Sequence, residues 1–232
     1  MAARRTKRGQ LTRDRLLAEA VELADAEGIS AVTMRGLAAA VGVEAMSLYH
    51  HLPGKDGLLD GLVDHVVGEV TRAIGELEES GPPTDWRATL RRRFLTARQV
   101  MLRHPWAPAL IGTRTTIPAS VYAQYEALLA TLVEAGFSYH LAHRALHSLG
   151  SMPLGFVQEL FSPAATGGST DVELSEAELA QMAEVVPHLT AMVAAEVHDN
   201  DGDMLGWCDS QTEFEFTLDL LLEGLARQLE AE

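Results

Sequence analysis

Three histidines, His140, His143 and His147, recur at spacings of three and four, so a helix would set all three on one face, where imidazoles could bind a metal ion. No cysteine or carboxylate stands beside them to complete a shell. They read instead as polar groups, His140 at the rim of a ligand pocket and His143 and His147 in a strip between subunits. The run Asp199-Asn200-Asp201-Gly202-Asp203 has the composition of a calcium loop, but the sixth and twelfth positions, which need Gly and Glu, are Met204 and Ser210. A solvated acidic loop is the reading. Cys208 is the single cysteine and cannot pair internally. With no nucleophile motif and no phosphate loop, nothing points to an enzyme, and no catalytic residue, metal or cofactor is assigned.

A second set of side chains suits nucleic acid. Ala45, Met46, Ser47, Tyr49 and His50 follow one another in a short segment. Ser47 can bond a base edge or a phosphate, Ala45 and Met46 suit thymine methyls, and His50 can donate to a guanine acceptor. Thr33, Arg35, Tyr49 and His51 are suited to holding phosphates. Lys55 opens a following helix, where its ammonium and the free backbone amides both favour a phosphate. There is no Arg, Asn or Gln from Val43 to His51. The strong bidentate base readers are therefore missing, and discrimination per contact should be modest.

These side chains need an element that carries them outward. Gly42 permits the left-handed turn of a helix-turn-helix, Ala38 is the small residue where its two helices touch, and Leu48 anchors the second helix from below. Leu37, Val41 and Val43 complete that core. The remainder reads at helical period, with helices over 12–26, 34–41, 45–51, 55–77, 85–103, 120–135, 138–161, 176–196 and 211–230, and no alternating β pattern beyond a few residues. An all-α fold is predicted: a basic arm over 1–10, a three-helix DNA-binding head over 11–56, and a helical body over 57–232.

Charge divides along the same line. The chain of 232 residues carries a net charge of −15. Its first sixty residues balance to zero, and the first eighteen hold six basic residues against one acidic. A polyanion could therefore meet only the head. With 47% hydrophobic and 22% charged residues the composition is globular. No uncharged run exceeds the 14 residues of 145–158, too short for the roughly 20 needed to span a bilayer. No membrane partner and a cytoplasmic location are expected.

The segment from Thr33 to Leu62, TMRGLAAAVGVEAMSLYHHLPGKDGLLDGL, resembles the DNA-binding region of the TetR family of regulators. Weaker similarity continues through Leu110-Ile111-Gly112-Thr113-Arg114, Glu134-Ala135-Gly136-Phe137-Ser138 and Leu154-Gly155-Phe156-Val157-Gln158-Glu159. The resemblance implies a homodimer with two DNA-reading heads and an effector-binding body. The metal-binding histidine of the tetracycline repressor is matched by Leu110 and its drug-binding glutamine by Leu128, which argues against a tetracycline–magnesium ligand.

A bulky, mostly apolar small molecule is the natural effector. Trp106, Tyr125, Met152 and Phe156 are its candidate walls, and Thr113, Arg114, His140 and Glu159 its candidate polar contacts. Dimerisation is assigned to the helices over 138–161 and 211–230, the latter presenting Phe214, Leu218, Leu221, Leu222 and Leu225. The helix over 55–77 would be the lever between pocket and head. A DNA-binding regulator without an effector, whose body only dimerises or meets another protein, is the alternative.

Overall fold

The computed structural model describes residues 11–79, 81, 85–156, 181, 183–196 and 210–232. Its helices follow in the order α1 (Arg13–Glu27), α2 (Met34–Val41), α3 (Ala45–Leu48), α4 (Gly54–Glu79), α5 (Trp86–Arg103), α6 (Ala107–Thr113), α7 (Ala119–Glu134), α8 (Tyr139–Gly155), α9 (Pro187–Glu196) and α10 (Ser210–Glu230). A short 3₁₀ turn, Ile29–Ala31, joins α1 to α2. There is no strand among the described residues, and the fold is all-α. The arm over 1–10, the acidic run over 199–203, Cys208 and Glu159 lie outside the described residues.

Local chemistry sets the helix ends. Thr12 accepts from the Arg15 amide at 3.3 Å, Thr33 from the Gly36 amide at 2.9 Å and Asp85 from the Ala88 amide at 2.9 Å, each satisfying an amide that its helix leaves open. Gly42 ends α2 in the left-handed region at φ 69°, where a side chain would be strained.

The α1 face made by Leu16, Leu17, Ala20, Val21 and Ala24 is buried, and Leu37, Ala38, Leu48, Leu52, Leu58 and Leu62 close over it. Each fully buried leucine contributes about 1.5–3 kcal/mol. These side chains hold α2 and α3 at a fixed angle on α1 and α4. At their crossing a Cβ on Gly61 would lie 2.5 Å from Leu17 Cδ2, so close helix contact accounts for that glycine.

Three elements differ from the sequence reading. The helix predicted over 176–196 is interrupted at Val186, and α9 begins anew at Pro187, which suits a first helical position. The helix foreseen over 45–51 is α-helical only to Leu48. The chain then turns, the Leu52 amide bonds the Leu48 carbonyl at 2.8 Å, and Pro53 bars further helix. Helix α6 lies between the helices predicted over 85–103 and 120–135, where no helix is predicted. Pro108 falls in the first turn of α6, where no amide donor is needed.

Contacts divide the chain into two compact units, Met1–Leu146 and His147–Glu232. Within the first, α4 packs on α1 as well as on α5, α6 and α7. The second has its own core of Leu149, Met152, Phe214, Leu218, Leu222 and Ala226, with Phe156 edge-on to Phe214 at 5.4 Å.

Candidate nucleic-acid interface and regulatory body

Around the sealed Leu48 side chain the recognition segment turns outward. Met46 is 73% exposed and Tyr49 50% exposed, and His50, Arg35 and Lys55 are exposed as well. Ala45, Ser47, Thr33 and His51 are half-buried. Five of the nine predicted residues thus face solvent, and four are half-buried. Thr33 Oγ1 already accepts the Gly36 amide, which leaves its hydroxyl proton to donate to a phosphate. The surface offers apolar contact at Met46, hydroxyl and imidazole donors, and cations at Arg35 and Lys55. Those are the groups a major groove and its phosphates can engage.

Behind this surface α4 is tied to the body along its length, by contacts the sequence did not reveal. Arg114 donates to Asp60 at 2.7 Å and to Asp56 at 3.3 Å, and Ser120 donates to Asp64 at 2.7 Å. Gln124 donates to Thr71 at 2.8 Å, and the Arg92 guanidinium closes the far end on the Leu77 carbonyl at 2.6 Å.

Midway lies a cluster that also engages the head. Asp25, near the end of α1, accepts Trp106 Nε1 at 2.6 Å and His104 Nδ1 at 2.9 Å. His104 Nε2 faces Glu69 of α4 at 3.4 Å, Arg103 donates to the same carboxylate oxygen at 3.1 Å, and His65 stands 3.4 Å from the other. Burial alone would raise the Glu69 carboxyl. The Arg103 and His104 hydrogen bonds, with the charges of His104 and His65, outweigh it and hold the group below its ordinary value. A shift of α5, α6 or α7 would thus be felt by α4 at several turns, and by α1 through Asp25.

Two family descriptions match the chain, bacterial regulatory proteins of the tetR family over residues 16–62 and the tetracyclin repressor-like C-terminal domain over residues 80–229. The chain belongs to the TetR family. A transcriptional regulator of the helix-turn-helix type from Saccharopolyspora erythraea is 40% identical over 127 residues, 55% of this chain, and the match spans about half, 51%, of that relative's length. A possible TetR-family regulator from Streptomyces coelicolor has a crystal structure that covers 93% of this chain and 98% of its own, at 29% identity and a TM-score of 0.74. ActR of the same organism, solved in complex with actinorhodin, shares the fold at 23% identity and a TM-score of 0.68, with 95% of this chain and 99% of ActR covered.

In this TetR-family chain several residues foreseen as effector contacts have other work. Arg114 is committed to Asp56 and Asp60, acidic residues one turn apart on α4, and Trp106 is buried with its indole nitrogen on Asp25. Both hold helices together, a role that spacing in sequence cannot reveal. Thr113 is exposed and donates to the Leu110 carbonyl of its own helix, and His140 is exposed. Tyr125 is half-buried, edge-on to Tyr122 at 6.4 Å. Leu110 and Leu128 are both core residues. Trp86 and Phe137 meet edge-on at 5.0 Å.

In the second unit, buried Met152 and half-buried Phe156 border an open groove of about 440 Å³ with Ser148, Ser151, Thr217 and Leu221. The foreseen subunit face on α10 divides. Phe214, Leu218 and Leu222 are sealed in this unit's own core at 0%, 0% and 3% exposure, a correction to their assignment as subunit contacts. Leu221 and Leu225 are half-buried, and Phe216 and Leu220 are exposed. Phe216 and Leu220, four apart on the opposite face, were missed, although that spacing was there to be read. His143 and His147 on α8 are exposed. Among the described residues no helix is long and apolar enough to cross a membrane, and no three His, Cys, Asp or Glu side chains are placed to hold a metal.

Proposed function

We propose that this TetR-family regulator is a ligand-responsive repressor. It binds a pseudo-palindromic operator as a homodimer and leaves the operator when a small, mostly apolar molecule occupies its helical body. The observation that carries this reading is the outward display of Met46, Tyr49 and His50 around the buried Leu48, beside exposed Arg35 and Lys55. Two such heads reading successive major-groove faces would be separated by roughly 34–36 Å or a multiple of it.

Dimer contacts fall to α8 and α10, where exposed His143, His147, Phe216 and Leu220 accompany half-buried Leu221 and Leu225. Release follows from the polar ties on α4. A ligand that favours a displaced arrangement of the body draws α4 and the head with it, and a tenfold loss of operator affinity needs about 1.4 kcal/mol of differential binding. ActR, which shares the fold and was solved in complex with actinorhodin, supports a small-molecule effector.

The test is a titration of the protein on its own promoter region, with and without candidate small, mostly apolar compounds. Salt-dependent binding of the free protein, and release by compounds that raise its melting temperature, are the outcomes foreseen. A protein that ignores the promoter, or tight ligands that never change DNA affinity, would refute the reading; the second result leaves a regulator whose body only dimerises.

A further inference from the structure

The recognition segment holds one charged side chain that neither the fold nor the contacts above employ. Glu44 precedes Ala45 and Met46 at the cap position of α3, with extended backbone at φ −73° and ψ 138°. Side chains at such positions commonly accept an amide of the first turn. The Glu44 carboxylate does not. It is exposed, and it makes no hydrogen bond or ion pair among the described residues.

A carboxylate in this place opposes DNA binding in general, because it repels the phosphates of every sequence alike. Its use lies in being an acceptor only. In the major groove the bases offer donors solely as the amino groups of cytosine and adenine. Adenine sets the acceptor N7 beside its amino group and so repels a carboxylate, whereas cytosine presents the donor alone. No neighbouring side chain duplicates this preference. Ala45 and Met46 are apolar, and Ser47 and His50 can each bond more than one base.

We propose that Glu44 is a specificity-determining residue that reads a cytosine amino group in each operator half-site and penalises half-sites that lack one. The inference rests on the DNA-binding reading above, with α3 entering the major groove.

Selection from a random duplex library with the full chain, as wild type, E44A and E44Q, followed by titration of the enriched duplexes, tests it. Wild type should enrich a symmetric motif with cytosine at one pair of positions, and replacing those cytosines by thymine should weaken binding about tenfold. E44A should retain the other positions, bind the motif at least as tightly, and show less than about twofold preference at that pair. E44Q should turn the preference toward adenine, which glutamine reads through N6 and N7. Because the fold does not use the carboxylate, both variants should melt with wild type. A wild-type motif that E44A reproduces at every position overturns the role of Glu44 and leaves the DNA reading standing. A wild-type protein that enriches no motif overturns both, and a variant that melts well below wild type shows Glu44 to be structural.

Discussion

Asp25, near the end of α1, accepts the indole N–H of Trp106 at 2.6 Å, so one carboxylate of the head holds the corner where α5 gives way to α6. The same carboxylate accepts His104 Nδ1, and both donors belong to buried residues. In D25A those two donors lose their acceptor at once, which should cost about 1–3 kcal/mol in urea denaturation. D25N keeps an acceptor oxygen and should lose less. Equal stability of D25A and wild type would remove this corner as a structural link.

Glu69 should make stability depend on acid. Its folded value is held below the ordinary 4.5 by Arg103, His104 and His65, despite the opposing effect of burial. A lowered carboxyl stabilises the fold fully above its unfolded value and loses that contribution as pH falls through the folded one. The stability gap between wild type and E69Q should therefore shrink as pH falls from about 5 toward 3. Thermal melts across that range check it, and a gap that widens on acidification would reverse the assigned sign.

DNA affinity should separate Lys55 from Met46. K55A removes a phosphate contact, so binding should fall alike on all sequences and the logarithmic salt slope should flatten by about 1 per head. M46A removes an apolar base contact. Its salt slope should stay as in wild type while preference changes at one symmetric pair of positions. Fluorescence anisotropy at several salt concentrations distinguishes the two.

Packing of the head predicts opposite signs for two glycines of α4. In G61A the new methyl meets Leu17 Cδ2 at 2.5 Å, which should destabilise by about 1–3 kcal/mol. Nothing lies within 4 Å of a Cβ at Gly68, so G68A should gain up to about 1 kcal/mol of helix propensity. L48A, at a fully buried site, should cost about 2–5 kcal/mol. Denaturation midpoints measure all three.

The α10 surface predicts a clean division between folding and assembly. Charge at Phe216 and Leu220, which are 60% and 54% exposed, should leave the subunit folded and convert dimer to monomer in sedimentation. Charge at Phe214, which is fully buried, should unfold it. A double variant F216E/L220E that sediments as wild type would take α10 out of the subunit interface.

The head was legible almost residue by residue. Gly42, Ala38 and Leu48 occupy the turn, the close contact and the buried anchor that their types and spacing foretold, because a helix-turn-helix is specified by local backbone and by neighbours a few residues away. The exposed positions of Met46, Tyr49 and His50 follow from the same local geometry. Helix α6, with Pro108 in its first turn, is only seven residues long, too short for a helical period to show, and a proline breaks or begins a helix according to a register that periodicity alone does not reveal.

What the sequence determined by itself was therefore the helical class, the reading head and the side of it that faces outward. Only the folded chain decided that Arg114 and Trp106 hold helices together, that Asp25 meets His104, 79 positions further along the chain, and that Phe214 points inward while Phe216 points out. The physical reason is one of range. Helix periods and turn residues act over a few positions and leave a mark in composition, whereas a hydrogen bond between distant helices depends on how they cross, which no local pattern encodes.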